Sequence, residues 1–296
     1  MPDNVRGGMF ILAAGALFSI MVALIKLVGA RIHVTEILFF RQTTMMLLAL
    51  PALIHGLPGT LKSARVDLQV VRVIAAFAAM LLGFSAVINL PLADATTISF
   101  SKSFFITALA ILLLGEVVGI RRWAALAAGF CGVLIVAWPQ GSGSFSVYGV
   151  MAIASAAAVG LVMVIIRKLS QVDHPVTILS YQAVGVGLLM VPPTIWFWIT
   201  PTLTEFLLLI AIGVVSALGQ YLNILGLRSG EASAVAPLEY VRLIYVIALG
   251  YLIFDEWPEP RVFLGAAIII GATVYTLHRE RRTASKLAGC RDANPL

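Results

Sequence analysis

Charge is scarce in this chain: 20 Lys+Arg and 14 Asp+Glu make 11% of 296 residues, where soluble domains carry about a quarter. So little charge cannot cover a globular surface with polar groups, which excludes a water-soluble enzyme or nucleic-acid-binding domain as the whole protein. There are only two cysteines, Cys131 in an apolar run and Cys290 in a charged tail, so no disulfide framework supports the fold. Cys131 reads as a small packing residue and Cys290 as a free thiol facing a reducing compartment. The four histidines, His33, His55, His174 and His278, fall near predicted span ends without metal-ligand spacing. No phosphate-binding glycine loop, serine nucleophile elbow or Cys/His constellation is present. Neither catalysis, a metal nor a cofactor is expected, nor is nucleic acid a partner.

What the chain has instead is apolar length. Hydrophobic residues make up 60% of it and the mean hydropathy is +1.01. Runs of about 20 residues, enough to cross some 30 Å of hydrocarbon, are predicted as helices over 8–29, 35–56, 68–90, 92–115, 121–138, 147–168, 174–198, 204–228, 231–254 and 260–278. The opening MPDNVRGG enters the first run without a small-residue cleavage pattern, so that run reads as a retained helix rather than a signal peptide. Lys and Arg concentrate in short loops on one side, at Lys62, Arg65, Arg121, Arg122, Arg167 and Arg228, and in the tail after Arg279. The opposite side holds only Lys26, Arg31 and Arg261. Positive loops stay cytoplasmic, so an all-α integral membrane protein of ten transmembrane helices with both termini cytoplasmic is expected. The net +6 is then a topology label.

The chain is also internally repeated. Shifting it by 142 aligns VRGGMFILAAGALFSIMVALIKL (5–27) with VYGVMAIASAAAVGLVMVIIRKL (147–169), identical at 10 of 23 positions. The offset later shortens to 137, pairing Asp94 with Glu231, and becomes 140, pairing Glu116 with Glu256. A five-helix unit written twice must insert its second copy inverted, because five is odd. Inverted repeats allow alternating access by rocking one half against the other around a midplane site. The expected organisation is a first repeat over 1–140, a second over 141–279 and a cytoplasmic tail over 280–296.

The segments PLADATTISFSKSFFITALAILLLGEVVGIRRWAALAAGFCGVLIVAWP (91–139) and GEASAVAPLEYVRLIYVIALGYLIFDEWPEPRVFLGAAIIIGATVY (230–275) resemble the two EamA repeats of the drug/metabolite transporter superfamily. The resemblance covers nearly the whole chain and implies ten helices around a central substrate cavity. It departs at Ser103, where members often have proline, and at Lys102, where a small residue usually precedes it. These departures imply a helix 4 less bent than usual and an added charge in the cavity.

Charges inside apolar spans are costly and default to functional-site hypotheses. Lys102 on helix 4 and Glu239 on helix 9 are equivalent positions of the two repeats, 137 apart. Either a zwitterionic substrate inserts between them, carboxylate towards Lys102 and ammonium towards Glu239, or they form a buried pair that fixes helix register. Arg242, one turn beyond Glu239, is an alternative partner that would leave Lys102 free. Arg41 on helix 2, which resembles an arginine common at that place in the family, lines the outer cavity or pairs with Glu36; Glu36 is expected at the rim in contact with water. Ser99, Ser103, Tyr181, Gln182, Asn223 and Tyr240 are candidates to complete the pocket, with interhelical hydrogen bonding as their structural alternative. Pro237 frees a carbonyl near Glu239 and is a candidate conformational residue.

Other features read as structural. Asp94 and Glu231 fit N-terminal caps of helices 4 and 9, Glu116 exposed pairing with Arg121 and Arg122, and Ala128, Gly132, Ala267 and Gly271 close helix contact. The five tryptophans fall near span ends, as interfacial anchors do. Together these readings predict a secondary transporter of small metabolites. The resemblance extends to exporters of aromatic and neutral amino acids, and family members also carry S-adenosylmethionine, riboflavin-like vitamins, nucleotides and drugs by uptake or efflux. A structural membrane subunit is the alternative from another class. The expected partners are a small-molecule substrate and the bilayer, with a monomer as the default state. A carboxylate beside a lysine stays ionised, which favours an uncoupled facilitator over a proton-driven pump.

Overall fold

The computed structural model describes residues 4–55, 63–114, 120–137, 146–169, 171–173, 175–229, 236–272 and 275. Among them every regular element is helical. In the first repeat these are α1 (Asn4–Val28), α2 (Val34–His55), α3 (Val66–Asn89), α4 (Leu92–Ser99), α5 (Lys102–Leu114) and α6 (Ile120–Ala137). The second repeat contributes α7 (Val147–Leu169), α8 (Pro175–Trp196), α9 (Leu203–Ser229), a 3-10 segment (Ala236–Val241), α10 (Arg242–Phe254) and α11 (Pro260–Ala272). Five stretches are long and apolar enough to cross a membrane by length and composition: Val5–Val28, Val66–Asn89, Leu92–Leu113, Val147–Ile166 and Leu203–Gly226.

Helices of one repeat pack chiefly on those of the other. α1 lies along α9 and α3 along α7; α2 meets α9, and α3 meets α8. These pairings are reciprocal: exchanging the repeats turns each into its counterpart. Glycines permit the closest approaches. A Cβ on Gly213 of α9 would sit 2.4 Å from Thr44 Cβ of α2, and one on Gly160 of α7 would sit 2.7 Å from Phe105 Cβ of α5. The apolar core between α1, α2, α9 and α10 includes Ile25, Ile37, Leu209, Ile212 and Val246, all closed to solvent.

The fourth span, expected as one helix over 92–115, is interrupted at Phe100–Ser101 between α4 and α5. Serines do here what proline does elsewhere. Ser99 Oγ donates to the Thr96 carbonyl at 2.7 Å and Ser101 Oγ to the Ile98 carbonyl at 2.6 Å, so hydroxyls compete with amides for the helix ladder. The backbone tightens accordingly, with Ser101 N–H bonded to Ile98 O and Phe104 N–H to Ser101 O, three-residue steps in place of four. The ninth span, expected as one helix over 231–254, likewise passes through the 3-10 segment Ala236–Val241 that contains Pro237 before α10 begins.

Other expectations are corrected too. Asp94 lies in the first turn of α4 but does not cap it; Glu256 of the second repeat accepts the Leu92 N–H at 3.0 Å. A Cβ on Gly271 would meet nothing within 4 Å, while Gly132 and Gly265 make the close contact between α6 and α11. Cys131 is exposed rather than packed. Trp196, Trp198 and Trp257 are exposed near helix ends. Glu116, Glu231, the side chains of Trp123 and Trp138, and the tail over 280–296 lie outside the described residues.

Candidate functional site

Two interrupted helices set the geometry. Lys102 is the first residue of α5 and Arg242 the first of α10, while Glu239 stands in the 3-10 segment immediately before α10. An interruption turns backbone and side chains away from the regular helical spiral, and in a bilayer it persists only where protein or a polar cavity surrounds it. Lys102 Nζ donates to Glu239 Oε1 as a salt bridge between the repeats. Its side chains are 28% and 45% exposed, so the pair stands at an open surface inside the span rather than sealed in core. Tyr240 packs edge-on against Phe100 with ring centroids 4.9 Å apart, giving the pair an apolar aromatic flank.

Arg242 does not take Glu239 as its ion-pair partner. Its guanidinium lies over the Phe18 ring of α1 at 5.8 Å, and its Nε is buried without a hydrogen-bond partner. Arg41 also differs from expectation. It is buried, its Nε donates to Ser216 Oγ of α9 at 2.9 Å, and it lies over the Phe84 ring at 5.6 Å. Glu36, expected at the rim in water, is fully buried; its Oε2 accepts the Ile199 N–H at 3.0 Å and its Oε1 has no partner. The structure separates Glu36 from Arg41 because the loop before α9 supplies a backbone amide to the carboxylate.

The remaining candidates divide. Ser99 flanks the break and is bonded to Thr96, while Ser103 lies one residue beyond Lys102 and its carbonyl accepts from Thr107. Asn223 sits between Gly219 and Gly226 on the α9 face packed against α1, which favours an interhelical role. Tyr181 is half-buried on α8. Gln182 belongs to a different constellation: its Oε1 accepts from Arg72 Nη1 at 2.7 Å. Arg72 itself was not singled out from the sequence, although a charge inside the predicted span 68–90 is a sufficient signal. It is fully buried, bonded also to Gln69 and the Ile178 carbonyl. Gln69 in turn donates to Asp173 at 2.9 Å, whose carboxylate also receives Ser63 and the Ala64 N–H.

At the helix ends away from that network, Lys26 bonds Glu256 and the Leu90 carbonyl, and Arg261 lies 3.5 Å from Asp94 and 2.9 Å from Glu259. Arg31 pairs with Glu205 and reaches the Thr200 carbonyl. The hydrogen bond from Arg31 to Glu205 raises the Arg31 pKa further above its usual range. His33 stacks on Phe197 at 4.3 Å, and burial pulls its pKa below the usual value of 6.5. Among the described residues no group of His, Cys, Asp and Glu is arranged to hold a metal ion.

Comparison with known proteins bears on this arrangement. The EamA-like transporter family model matches residues 5–138 and again 147–277. An S-adenosylmethionine uptake transporter of Rickettsia bellii is 29% identical over 261 residues, covering 88% of this chain and 89% of its own. A pseudopaline exporter of Pseudomonas aeruginosa is 31% identical over 275 residues, covering 92% and 96%. A riboflavin transporter of Brucella anthropi is 27% identical, covering 86% and 93%. A solved crystal structure superposes with a TM-score of 0.62 over 93% of this chain and 98% of its own at 18% identity, a likeness of fold. These relatives are transporters by name, and with the apolar helices they make this chain a multi-pass protein of the bacterial inner membrane.

Proposed function

Because the chain belongs to the EamA-like transporter family, we propose that it is a secondary carrier whose two repeats, 1–140 and 141–279, are inverted in the membrane and rock around the Lys102–Glu239 pair. In this reading ten spans place both termini and the 280–296 tail in the cytoplasm. The substrate is a small zwitterion with an apolar body, of which amino acids are the simplest members. Its carboxylate replaces Glu239 at Lys102 and its ammonium replaces Lys102 at Glu239. The part-exposed salt bridge between equivalent positions of the two repeats supports this most directly. Exchanging one set of ion pairs for another avoids leaving either charge alone in a low-dielectric setting. Tyr240, half-buried and backed by the core residue Phe100, offers the apolar body a wall, as ligand pockets need. Ser103 and Pro237 adjoin the same breaks.

An ionised pair holds no spare proton, so net flux follows the substrate's own gradient, and export is the outcome when the cell produces it. The test is counterflow in proteoliposomes preloaded with aromatic and other neutral amino acids, S-adenosylmethionine or riboflavin. Exchange of at least one zwitterion, lost in Glu239→Gln with the folded fraction unchanged, is expected. Absence of exchange with every zwitterion, or unchanged exchange in both Lys102→Ala and Glu239→Gln, sinks the assignment.

A further inference from the structure

The cations around the break are not balanced by carboxylates. Lys102 and Glu239 cancel. Arg242, three residues on from Glu239, shares that one carboxylate's field with Lys102 without bonding to it; its Nε is shut off from solvent without a hydrogen bond and its guanidinium lies over the Phe18 ring. Arg41 is buried with Ser216, Met80 and Phe84 around it. Among the described residues neither arginine has a carboxylate within 4 Å. The nearest acids in sequence on the packed elements are committed elsewhere: Glu36 to the Ile199 amide, Asp94 to Arg261, Glu256 to Lys26. Phe18 and Phe84 pack on one apolar cluster, so the two guanidiniums lie over rings of the same core. Three cations against one carboxylate leave a net charge of +2.

Arginine does not deprotonate to escape such a site, and an isolated charge inside a bilayer protein is expensive unless something pairs with it. An anion that enters and leaves is the group that answers both conditions. We infer that the substrate carries at least one carboxylate in excess of its ammonium groups, received at Arg242, with Arg41 adding attraction from behind Ser216. This rests on the zwitterion reading above and narrows it: one carboxylate and the ammonium engage the Lys102–Glu239 pair, and the second carboxylate pairs with the part-exposed Arg242 guanidinium. Guanidinium suits that role because its forked donors match a carboxylate in shape. Neutral amino acids then fill only half the site, and cationic metabolites are opposed by its field.

Isosteric pairs differing in one charge provide the test. Wild-type protein in proteoliposomes is assayed by counterflow with L-glutamate against L-glutamine, and with γ-glutamylphenylalanine against its C-terminal amide. The expected result is a preference of about tenfold or more for the acidic member of at least one pair, the size of a good charge-assisted contact. That preference falls towards unity in Arg242→Gln and is partly kept in Arg242→Lys, each checked for monodispersity by gel filtration. Equal or better exchange of the neutral member by the wild-type protein overturns the inference while leaving the carrier reading intact, and needs no variant to fold. No exchange of these four probes or of any other zwitterion overturns the carrier reading itself.

Discussion

Glu256 carries two partners on one carboxylate: Lys26 on Oε1 and the Leu92 N–H on Oε2. Replacing it with Gln removes the charge that Lys26 needs while leaving Lys26 mostly buried. A loss of about 3 kcal/mol is expected for breaking such a pair, read as a lower midpoint in denaturant titration in detergent. Lys26→Met combined with Glu256→Leu is expected to recover part of that loss. His33 makes a second prediction. Burial lowers its pKa below 6.5, so the unfolded chain binds the proton more readily and stability rises with pH through that region. Thermal stability should therefore be full above about pH 6.5 and decline as the pH falls below it. The decline should be smaller in His33→Gln; an identical pH profile in the two proteins contradicts the assignment. The sequence made Lys102 and Glu239 visible because a charge in an apolar run needs no tertiary information to stand out. It did not reveal their choice of partner. Arg242 at i+3 was as good a candidate as Lys102 at 137 residues' distance, and only the meeting of the two breaks decides between them.

At the level of elements, hydropathy marked out the helices but not their interruptions. Ser99 and Ser101 are mild residues by propensity, and their effect depends on whether their hydroxyls turn back to Thr96 and Ile98. Small residues were equally ambiguous: four-residue spacing marks Ala128, Gly132, Ala267 and Gly271 alike, yet only packing tells which one faces a neighbour. Gly160→Ala places a methyl against the Phe105 backbone and Cβ, and a loss of about 1–3 kcal/mol is expected from overpacking. Gly271→Ala meets nothing within 4 Å and should be neutral or stabilising by about 0.5 kcal/mol through its higher helix propensity. Thermal unfolding of the two variants side by side checks both; a similar loss in each contradicts the packing described for α7 on α5.

For the whole molecule, reciprocal packing makes the repeats interdependent. The faces of α1 and α3 are covered by α9 and α7, so neither half has a complete core of its own. Residues 1–140 expressed alone are expected to be degraded or aggregated, and co-expression with 141–296 to restore a co-purifying, transport-competent complex. Independent accumulation of either half as a monodisperse protein contradicts that. The charge-swapped pair Lys102→Glu with Glu239→Lys belongs to this scale as well. It keeps the link between the repeats but reverses its polarity, so a folded protein with counterflow reduced by tenfold or more is expected if the pair reads the substrate's orientation, about the cost of misplacing one charge contact.

The sequence by itself determined that this chain lives in a bilayer, that it is written twice and that a few charges lie where lipid tolerates none. Those are properties of composition and period, which survive without knowledge of contacts. Tertiary structure decided which charges meet. Lys102 found Glu239, Arg72 found Gln182, Glu256 found Lys26 and Leu92, and Arg41 and Arg242 found aromatic rings and, among the described residues, no carboxylate in salt-bridge contact. A hydrogen-bonded ion pair needs its atoms within about 3 Å, and distances that short are set by helix breaks, close glycine contacts and the crossing of two repeats.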